Sequence, residues 1–475
     1  MSHVFAMSAP RSDYPLGIPS LSERRSMDLA NIAKGVCSGI FVSKRALDDI
    51  LETSVRAETE DGIAVRVDIL ADEQLVIAKL EDGTEEPMQR AARMVGDQGA
   101  VVLPVGTQKV FFMPQPITPQ PQPGGWEAID PSQDWDVAAL TAAVDLAFAA
   151  TPETYTAAFI VAHKGQIVAE RYRDGVTVQT QLPSWSMGKT LTAILIGRLI
   201  YLGYLQLDQP APIAQWQHDE RKHITIRDLL QMSSGLDFTA TWAQDYRPEM
   251  GYPDHSLIYG GAVDSYQLAL SRPLVHPPGT LGAYKNGDTL ALGALIKQAC
   301  QDLGEPYFAW PQKVLFDPLG IDRFVLEPDP YGNLLLSGFN YGTPRHWLTL
   351  GQLLLQDGVW QGERLLPEGY VDFLRTPAEG WRGRYWMEDG PEGWTGSIYG
   401  GQLWLNRYPK ADAWPLPEDA CFMLGIGGQY TFFIPSLELV IVRMGHVRGL
   451  LETGAGREPL ASALASLMAA RKGAV

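Results

Sequence analysis

Two groups of β-strand patterns, far apart in the sequence, constrain the fold more than any other feature. The first group covers residues 157–172 and holds two apolar runs joined at Lys164 and Gly165, which predicts a hairpin. A long helical and loop-rich stretch follows it. The second group consists of residues 397–406, 427–434 and 437–445. We expect both groups to share one antiparallel sheet flanked by helices, with an all-helical lobe between them, so the predicted fold class is α+β.

The residues before this region form a smaller pattern of their own. A helical stretch at 44–51 precedes two alternating segments at 63–70 and 74–80, which indicates a small α+β extension. Residues 114–125 are rich in proline, and a run of this kind is extended and stiff. The predicted domains are an N-terminal extension over residues 1–113, a Pro-rich linker over 114–126 and a main domain over 127–475.

Charge and hydropathy exclude two kinds of partner. The 475 residues carry a formal net charge of −17 at pH 7, which opposes binding to nucleic acid or to an anionic membrane. The most apolar stretch, Leu191 to Leu205, is interrupted by Arg198 and is shorter than the roughly 20 residues that span a bilayer, so it predicts a buried helix. The first residues lack the features of a signal peptide. We therefore expect a cytoplasmic protein, or a periplasmic one if a leader has been removed.

The cysteines indicate neither a metal site nor a redox pair. Cys37, Cys300 and Cys421 lie far apart in the sequence and are odd in number, which is typical of buried free thiols. No HExxH or EF-hand pattern occurs either. We expect a protein that needs no metal and no other cofactor.

The strongest candidate for chemistry is a serine followed three residues later by a lysine. Ser186 lies at the start of a helical pattern, where free N–H groups and the helix dipole stabilise a developing oxyanion. Lys189 is one turn further on the same face, so its amine can reach the serine hydroxyl. If burial lowers its pKa, this lysine can accept the serine proton. The alternative is that Ser186 only caps the helix and Lys189 is solvated.

Ser186 to Lys189 is the first of four segments that occur in a recognisable order. The segments are Ser186–Lys189, Ile224–Phe238, His276–Thr289 and Gly338–Val371. They resemble the serine β-lactamase-like superfamily, specifically its class C branch with penicillin-binding-protein-like esterases, D-aminopeptidases and 6-aminohexanoate-dimer hydrolases. The resemblance covers roughly residues 130–470. It implies a β-lactamase/transpeptidase-like sheet for the main domain.

The resemblance also implies roles for the family's second motif, Tyr-x-Asn. This motif matches Tyr284-Lys285-Asn286, where the tyrosine takes the proton from Ser186 and later returns it to the leaving group. Asn286 would orient Lys189 or bind a substrate amide, although an asparagine before glycine is also common in turns. Tyr331-Gly332-Asn333 has the same spelling but is more typical of a turn. A structural role is the alternative for Tyr284.

The family's third motif, Lys-Thr-Gly or His-x-Gly, has lost its basic residue in the stretch 424–430. Because that residue helps to hold the substrate carboxylate in β-lactamases, the resemblance implies esters or amides rather than penicillins. We expect the N–H groups of Ser186 and Gln429 to form an oxyanion hole, with Ile426 as the donor in a shifted register. A simple glycine-rich turn is the alternative. The residues predicted to bind substrate are Asn286, Tyr246, Ile426, Gly427 and Gly428.

Together these segments predict an enzyme that forms an acyl intermediate. Ser186, activated by Tyr284 and Lys189, attacks a carboxylic ester or amide of a small molecule, and water releases the product. Tyr246 is included because its loop resembles a tyrosine loop near the substrate in 6-aminohexanoate-dimer hydrolases. A β-lactamase or a D-amino-acid peptidase is the alternative among enzymes, and a non-catalytic ligand-binding protein is the alternative outside them. The sequence leaves the oligomeric state open.

Overall fold

The chain forms two units, each built from several separate stretches of sequence. A computed structural model describes residues 19–149, 155–238, 253–381, 398–406, 414–446 and 457–473. The first unit comprises Met1–Thr118, Asp208–Pro311 and Val325–Tyr341. The second unit comprises Pro119–Leu207, Gln312–Phe324 and Gly342–Val475.

Many of the helices and strands are short. The described α-helices are α1 (Leu21–Phe41), α2 (Leu47–Thr53), α3 (Val137–Ala147), α4 (Met187–Tyr201), α5 (Ile226–Leu230), α6 (Asp254–Gly260), α7 (Ser265–Leu270), α8 (Asn286–Leu303), α9 (Pro344–Leu355), α10 (Tyr370–Leu374) and α11 (Arg457–Ala469). The described strands are β1 (Val65–Leu70), β2 (Leu75–Leu80), β3 (Gln89–Met94), β4 (Ala100–Val102), β5 (Thr156–His163), β6 (Gln166–Tyr172), β7 (Leu182–Pro183), β8 (Val325–Leu326), β9 (Asn340–Gly342), β10 (Val359–Trp360), β11 (Glu363–Arg364), β12 (Ile398–Tyr399), β13 (Trp404–Leu405), β14 (Cys421–Gly425), β15 (Gln429–Ile434) and β16 (Leu439–Gly445).

The second unit is built on a seven-stranded antiparallel sheet with the strand order β12-β13-β14-β15-β16-β5-β6. β5 and β6 form the predicted hairpin, closed by the pair His163 and Gln166, and β16 pairs with β5 from Leu439 onward. These pairings confirm that the two groups of β-strand patterns share one sheet. β5 is buried along its whole length, which requires cover on both faces. Helix α3 contacts β5 and β6, and α9 contacts β5, β15 and β16.

Helix α4 of the second unit is the predicted buried helix. Its residues are buried from Met187 to Leu199, and its C-terminal half packs so closely that a Cβ at Gly197 would lie 2.6 Å from the ring of Tyr370. The helix runs past β14 and β15. Over the ranges that the structure describes, no helix has the length and apolarity needed to cross a membrane.

The N-terminal part of the first unit is a sheet of four antiparallel strands, β1-β2-β3-β4, covered by α1. β1 and β2 lie within the segments predicted as strands, and α2 overlaps the predicted helix. Both α1 and the sheet contribute apolar side chains to the core between them. Its members from α1 are Leu29, Ile32, Ala33, Val36 and Cys37. The α+β character predicted for this extension is therefore confirmed.

Helix α1 is not among the predicted elements, although it is the longest of the helices given above. It begins with a capping box, in which Ser20 Oγ accepts from Glu23 N and the Glu23 carboxylate accepts from Ser20 N. Its buried face includes Lys34 and Ser38, which interrupt the apolar repeat from which a helix is predicted. Both polar residues have hydrogen-bond partners inside the unit, which makes their burial tolerable.

Helices α5 to α8 form the predicted helical lobe and belong to the same unit as the N-terminal extension. α8 contacts α5, α6 and α7, while α1 contacts α6. The chain therefore has the α+β class that its patterns predict, with helices inserted between the strands of the larger sheet. The predicted domain boundaries at residues 113 and 126 stay a prediction.

Hydrogen bonds anchor the Pro-rich stretch within each unit. In the first unit the Gln98 side chain accepts from Gln115 N at 3.1 Å and donates to Gln115 O at 2.6 Å. In the second unit Asp317 accepts from the N–H groups of Gln120 and Gln122, both at 2.8 Å. These bonds fix the course of the stretch along each unit, and within it the structure has neither helix nor strand.

Candidate active site

Ser186 and Lys189 lie together at the start of α4 in the second unit. Ser186 is the N-cap residue of the helix, yet within the described part of the chain its hydroxyl makes no capping hydrogen bond. Instead, Lys189 Nζ donates to Ser186 Oγ at 3.0 Å. The pairing expected from the i, i+3 spacing is thus present, and the alternative of a plain serine cap with a solvated lysine does not describe this geometry.

Burial changes the acid–base properties of Lys189. The side chain is 1% exposed, and removing an ammonium group from water favours the neutral amine. This desolvation lowers the pKa of Lys189 from 10.5 to about 7. A substantial fraction of the molecules therefore carries a neutral amine beside the Ser186 hydroxyl at neutral pH.

The backbone before Ser186 makes a tight turn between β7 and α4. Trp185 has a φ of 46°, a left-handed conformation that costs a residue with a side chain about 1–2 kcal/mol. Ser184 Oγ donates to the carbonyl of Trp185 at 2.9 Å, which supports the turn. The strained residue directly precedes Ser186 and sets the direction from which the helix begins.

The hairpin of β14 and β15 passes close to this turn. A Cβ added at Gly425 would lie 2.1 Å from the carbonyl oxygen of Ser184, so a glycine is required for this approach. Thr431 on β15 also donates to the sulfur of Met187 at 3.6 Å. The hairpin therefore lies against the first residues of α4, next to Ser186.

The direction of each N–H group in the hairpin follows from the strand pairing. Asn406 N donates to Ala420 O at 3.0 Å, so the carbonyl of Ala420 faces β13, and alternation makes the carbonyl of Gly425 face β15. In a trans peptide the next N–H points the opposite way. The N–H of Ile426 therefore points to the edge of β14 away from β15, whereas the N–H of Gln429 points back toward Gly425 across the hairpin.

The edge at which Ile426 lies has a short pairing partner. The described pairing of β13 with β14 joins Leu405 to Cys421 and Trp404 to Phe422, so it ends before the last residues of β14. Gly425 at that end of the strand meets Ser184, as described above. The open part of the edge thus adjoins the turn that leads into Ser186.

A buried arginine that sequence reasoning did not single out holds the turn of this hairpin. Arg443 of β16 is 2% exposed, and its guanidinium donates to the carbonyls of Gly427 at 3.0 Å and Gly428 at 2.7 Å. Burial lowers the pKa of Arg443 to about 10. A basic residue within the apolar run 437–445 was the available signal, but its target depends on strand register.

The Gln429 side chain is buried and hydrogen-bonded to the backbone of β16. Its Nε2 donates to Gly445 O at 2.7 Å, and its Oε1 accepts from Gly445 N at 2.9 Å. The amide thereby takes the place of a strand residue at the end of the ladder. Ser186, Lys189 and the residues from Ile426 to Gln429 are thus brought together in the second unit.

Tyr284 and Asn286 belong to the first unit, where they flank Lys285 at the start of α8. Both side chains are buried. Lys285 has an extended backbone, with φ −155° and ψ 152°, and neighbours of an extended residue point to the side opposite its own side chain. Tyr284 and Asn286 therefore share one side of the segment, and Lys285 points to the other.

Contacts on the Lys285 side fix this segment to residues 233–238. Lys285 Nζ donates to Leu236 O at 2.9 Å and lies 3.7 Å from the Asp288 carboxylate, which accepts from Ser234 Oγ at 2.6 Å. Burial lowers the pKa of Lys285. The segments Ile224–Phe238 and His276–Thr289, which lie far apart in the sequence, are thus joined by hydrogen bonds.

The structure also bears on the two remaining candidates. Asp329 Oδ1 accepts from the N–H groups of Tyr331 and Asn333, and Gly332 N donates to Asp329 O. Tyr331-Gly332-Asn333 is therefore a turn, as its sequence predicts. Tyr246 lies outside the described residues.

The chain is similar to known proteins in sequence and in fold. A family model described as Beta-lactamase matches residues 144–465, more than half of the chain. The chain is also similar to the 6-aminohexanoate-dimer hydrolase of Paenarthrobacter ureafaciens, with 23% identity over 303 residues, which cover 56% of this chain and 74% of that protein.

Two solved structures have the same fold. A penicillin-binding protein homologue from Caulobacter crescentus gives a TM-score of 0.50 at 17% identity, covering 73% of this chain and 99% of its own. EstCE1, a hydrolase with promiscuous acyltransferase activity, gives a TM-score of 0.50 at 18% identity, covering 70% of this chain and 99% of its own. At this identity the likeness is one of fold.

Proposed function

This chain belongs to the beta-lactamase family, a family of hydrolases that share the β-lactamase fold, and from this premise we propose that it is a serine hydrolase. It cleaves a carboxylic ester or amide of a small molecule through an acyl-enzyme intermediate. The observation that carries the proposal is the 3.0 Å contact between Lys189 Nζ and Ser186 Oγ. A buried lysine with a lowered pKa beside a serine at a helix N-terminus is the arrangement that nucleophilic catalysis needs.

In the proposed reaction Ser186 is the nucleophile. Its oxygen forms a bond to the substrate carbonyl carbon as its proton moves to the Tyr284 oxygen and the phenol proton of Tyr284 moves to the neutral amine of Lys189. The bond to the leaving alcohol or amine then breaks, and the proton passes to that group. Water attacks the acyl-enzyme and regenerates the Ser186 hydroxyl. Asn286 lies on the same side of its segment as Tyr284. Its proposed role is to bind the substrate amide or to orient Lys189.

The proposed oxyanion hole consists of two backbone N–H groups. The first is that of Ser186, at the positive end of the α4 dipole. For the second we propose the N–H of Ile426 over that of Gln429, because the strand alternation directs the former to the open edge beside Ser184 and the latter to Gly425. Gly427 and Gly428 would keep side chains away from the approaching substrate.

The proposed substrates are neutral at the position that the third motif contacts. The stretch 424–430 lacks a lysine or histidine, and the only basic side chain shown above to contact it, Arg443, is occupied with backbone carbonyls. Similarity to a 6-aminohexanoate-dimer hydrolase and to EstCE1 is compatible with amide or ester cleavage. A penicillin, which carries a carboxylate, fits this site less well.

Replacing the nucleophile tests the proposal. We expect Ser186→Ala to lower kcat for a p-nitrophenyl ester by roughly 10³-fold or more, with unchanged circular dichroism. Ser436→Ala is the control, because it removes a hydroxyl that donates to Asp419 in the exposed turn between β15 and β16, and it should retain most of the activity. Turnover by Ser186→Ala at the rate of the unsubstituted protein would refute the proposal.

Covalent labelling tests it independently of any substrate. A fluorophosphonate should attach to Ser186, identified by mass spectrometry of the peptide that holds Trp185 to Lys189. Assays with nitrocefin and with D-alanyl peptides distinguish the two enzymatic alternatives. A label on another serine would move the active site elsewhere, and tight ligand binding with neither label nor turnover would identify a binding protein.

A further inference from the structure

The guanidinium of Arg443 binds both carbonyls of the glycine turn between β14 and β15. Gly427 and Gly428 have φ values of 83° and 75°, which glycine adopts readily and other residues adopt at a cost. Their carbonyl oxygens both point at Arg443, with distances of 3.0 and 2.7 Å to Nη1. Two carbonyl dipoles aimed at one point repel each other unless a cation lies there. The turn conformation thus depends on the charge of Arg443.

The side of the guanidinium that faces away from the turn is also hydrogen-bonded. Thr156 Oγ1 accepts from Arg443 Nε at 3.3 Å and Nη2 at 3.0 Å, and it donates to Ala147 O at 2.6 Å. A Cβ at Gly445 would lie 2.2 Å from Arg443 Nη1 and 2.3 Å from the backbone oxygen of Gly427, so residue 445 must be a glycine. Each of these contacts is buried, and all of them lie in the second unit.

Because peptide groups are planar and trans, fixing a carbonyl also fixes the N–H on the other side of the same peptide. The contacts of Arg443 with Gly427 and Gly428 therefore set the directions of the N–H groups of Gly428 and Gln429. Those residues close the hairpin that begins at Gly425. The N–H of Ile426 shares its peptide with the carbonyl of Gly425, and Gly425 pairs with Gln429 across the hairpin. Its direction therefore depends on where the turn places Gln429.

We propose that Arg443 is the positioning residue of the oxyanion hole, holding the 426–428 turn so that the N–H of Ile426 stays directed at the substrate carbonyl. This inference rests on the proposed function and names a residue that assists it. Arg443 does not contact the substrate, since its guanidinium is enclosed by the turn and by Thr156. The third motif has lost its own basic residue, and Arg443 on β16 provides a cationic group next to it. That group binds backbone carbonyls instead of the substrate.

The expected signature is a loss of kcat with little change in KM, because an oxyanion hole stabilises the transition state more than the bound substrate. Losing one oxyanion donor costs roughly 10²–10³ in kcat. We expect Arg443→Lys, which keeps the charge but lacks the forked donors, to lower kcat by about tenfold and Arg443→Met by about a hundredfold. Thr156→Val removes the hydroxyl that accepts from Arg443 Nε and Nη2. Its kcat should lie between that of the Arg443 variants and that of the unsubstituted protein.

The matched controls are Arg198→Lys and Arg198→Met. Arg198 is also buried, donates to a backbone carbonyl, that of Leu365, and lies about 18 Å along α4 from Ser186. These variants should lose stability without a selective loss of kcat. Thermal unfolding is measured for every variant, and Arg443→Lys and Thr156→Val provide the test if Arg443→Met does not fold.

Fluorophosphonate labelling separates the failure of this inference from the failure of the proposed function. The second-order rate of labelling at Ser186 should fall in parallel with kcat across the Arg443 series. If the unsubstituted protein is not labelled at Ser186, the proposed function and this inference both fail. If Ser186 is labelled and the folded Arg443→Lys and Thr156→Val proteins keep kcat and labelling rate, or raise KM alone, Arg443 is only structural and this inference alone is overturned.

Discussion

Lys189 serves chemistry at the expense of stability. Its pKa of about 7 arises from burial, and the proposed mechanism uses only the neutral amine. We expect kcat/KM for a neutral ester to rise with pH through about 7 and then level off, because a lysine that is already protonated cannot take up the proton that Tyr284 passes on. A pH profile from 5 to 9 checks this. A profile that is flat across this range, or that falls through pH 7, would contradict the assignment.

The same lysine should make folding depend on pH. The folded pKa of about 7 lies below the unfolded value of 10.5, so between these values the unfolded chain binds more protons and stability increases with pH. Lys189→Met should remove this dependence while abolishing most activity. At pH 7 it should raise the free energy of unfolding, by up to about 4 kcal/mol. Urea denaturation of both proteins at pH 7 and 9 measures the difference.

Contacts between residues that are close in the sequence could be predicted from the sequence. Ser186 and Lys189 are three positions apart on a helix, so their contact follows from helix geometry alone. The contact of Arg443 with Gly427 instead depends on the register of two strands and on a turn with two left-handed glycines. Choosing between Ile426 and Gln429 requires the direction of each N–H group, and a sequence gives only the two alternatives.

Among the secondary-structure elements, the close approach of β14 to the start of α4 is the feature most sensitive to substitution. A Cβ at Gly425 would lie 2.1 Å from Ser184 O, a backbone atom that cannot rotate away. Gly425→Ala should therefore push β14 from the Ser186 turn, lowering kcat by at least tenfold and the free energy of unfolding by about 1–3 kcal/mol. Steady-state kinetics and denaturant unfolding measure the two effects.

Gly125→Ala is the control for this prediction. A Cβ at Gly125 would have no atom within 4 Å among the described residues, and its backbone is not left-handed. This variant should match the unsubstituted protein in kcat and stability. If Gly425→Ala is equally silent, the strand does not adjoin the Ser186 turn in the way described, and the case for Ile426 as an oxyanion donor is lost.

The prediction of elements succeeded where one apolar repeat decides the structure and failed where polar residues are buried. The hairpin of β5 and β6 has an uninterrupted apolar run on one side and a Lys-Gly turn, and it was predicted. Helix α1 escaped prediction because Lys34 and Ser38 lie on its buried face. Their burial is tolerated only because Glu327, almost 300 residues later in the sequence, lies beside them.

At the scale of the molecule, this carboxylate joins three stretches of the first unit. Glu327 accepts from Lys34 Nζ at 2.6 Å, from Ser38 Oγ at 2.7 Å and from Ala100 N at 2.9 Å. Lys34 also donates to Ala100 O at 2.6 Å and lies 4.5 Å from the centroid of the Phe339 ring. The N-terminal extension is therefore tied to residues 325–341 by a buried ion pair, so it should fold together with them.

Removing one member of this pair should destabilise the first unit strongly. We expect Lys34→Met to cost about 3–5 kcal/mol, because it leaves a buried carboxylate without its cation, and Glu327→Gln to cost a similar amount. In the double variant neither charge remains, while the glutamine oxygen can still accept from Ser38 and Ala100. Its loss should therefore be clearly smaller than the sum of the single losses.

Two measurements locate the effect. Denaturant unfolding of the four proteins gives the coupling energy, and amide hydrogen exchange shows whether α1 and residues 325–341 lose protection together. Arg25→Met also changes α1 but breaks an exposed ion pair, the one with Asp61, and it should change neither readout appreciably. If the two single losses add, or if α1 alone loses protection, the extension folds independently of residues 325–341. Joint loss of protection would show that α1 and residues 325–341 unfold as one cooperative unit.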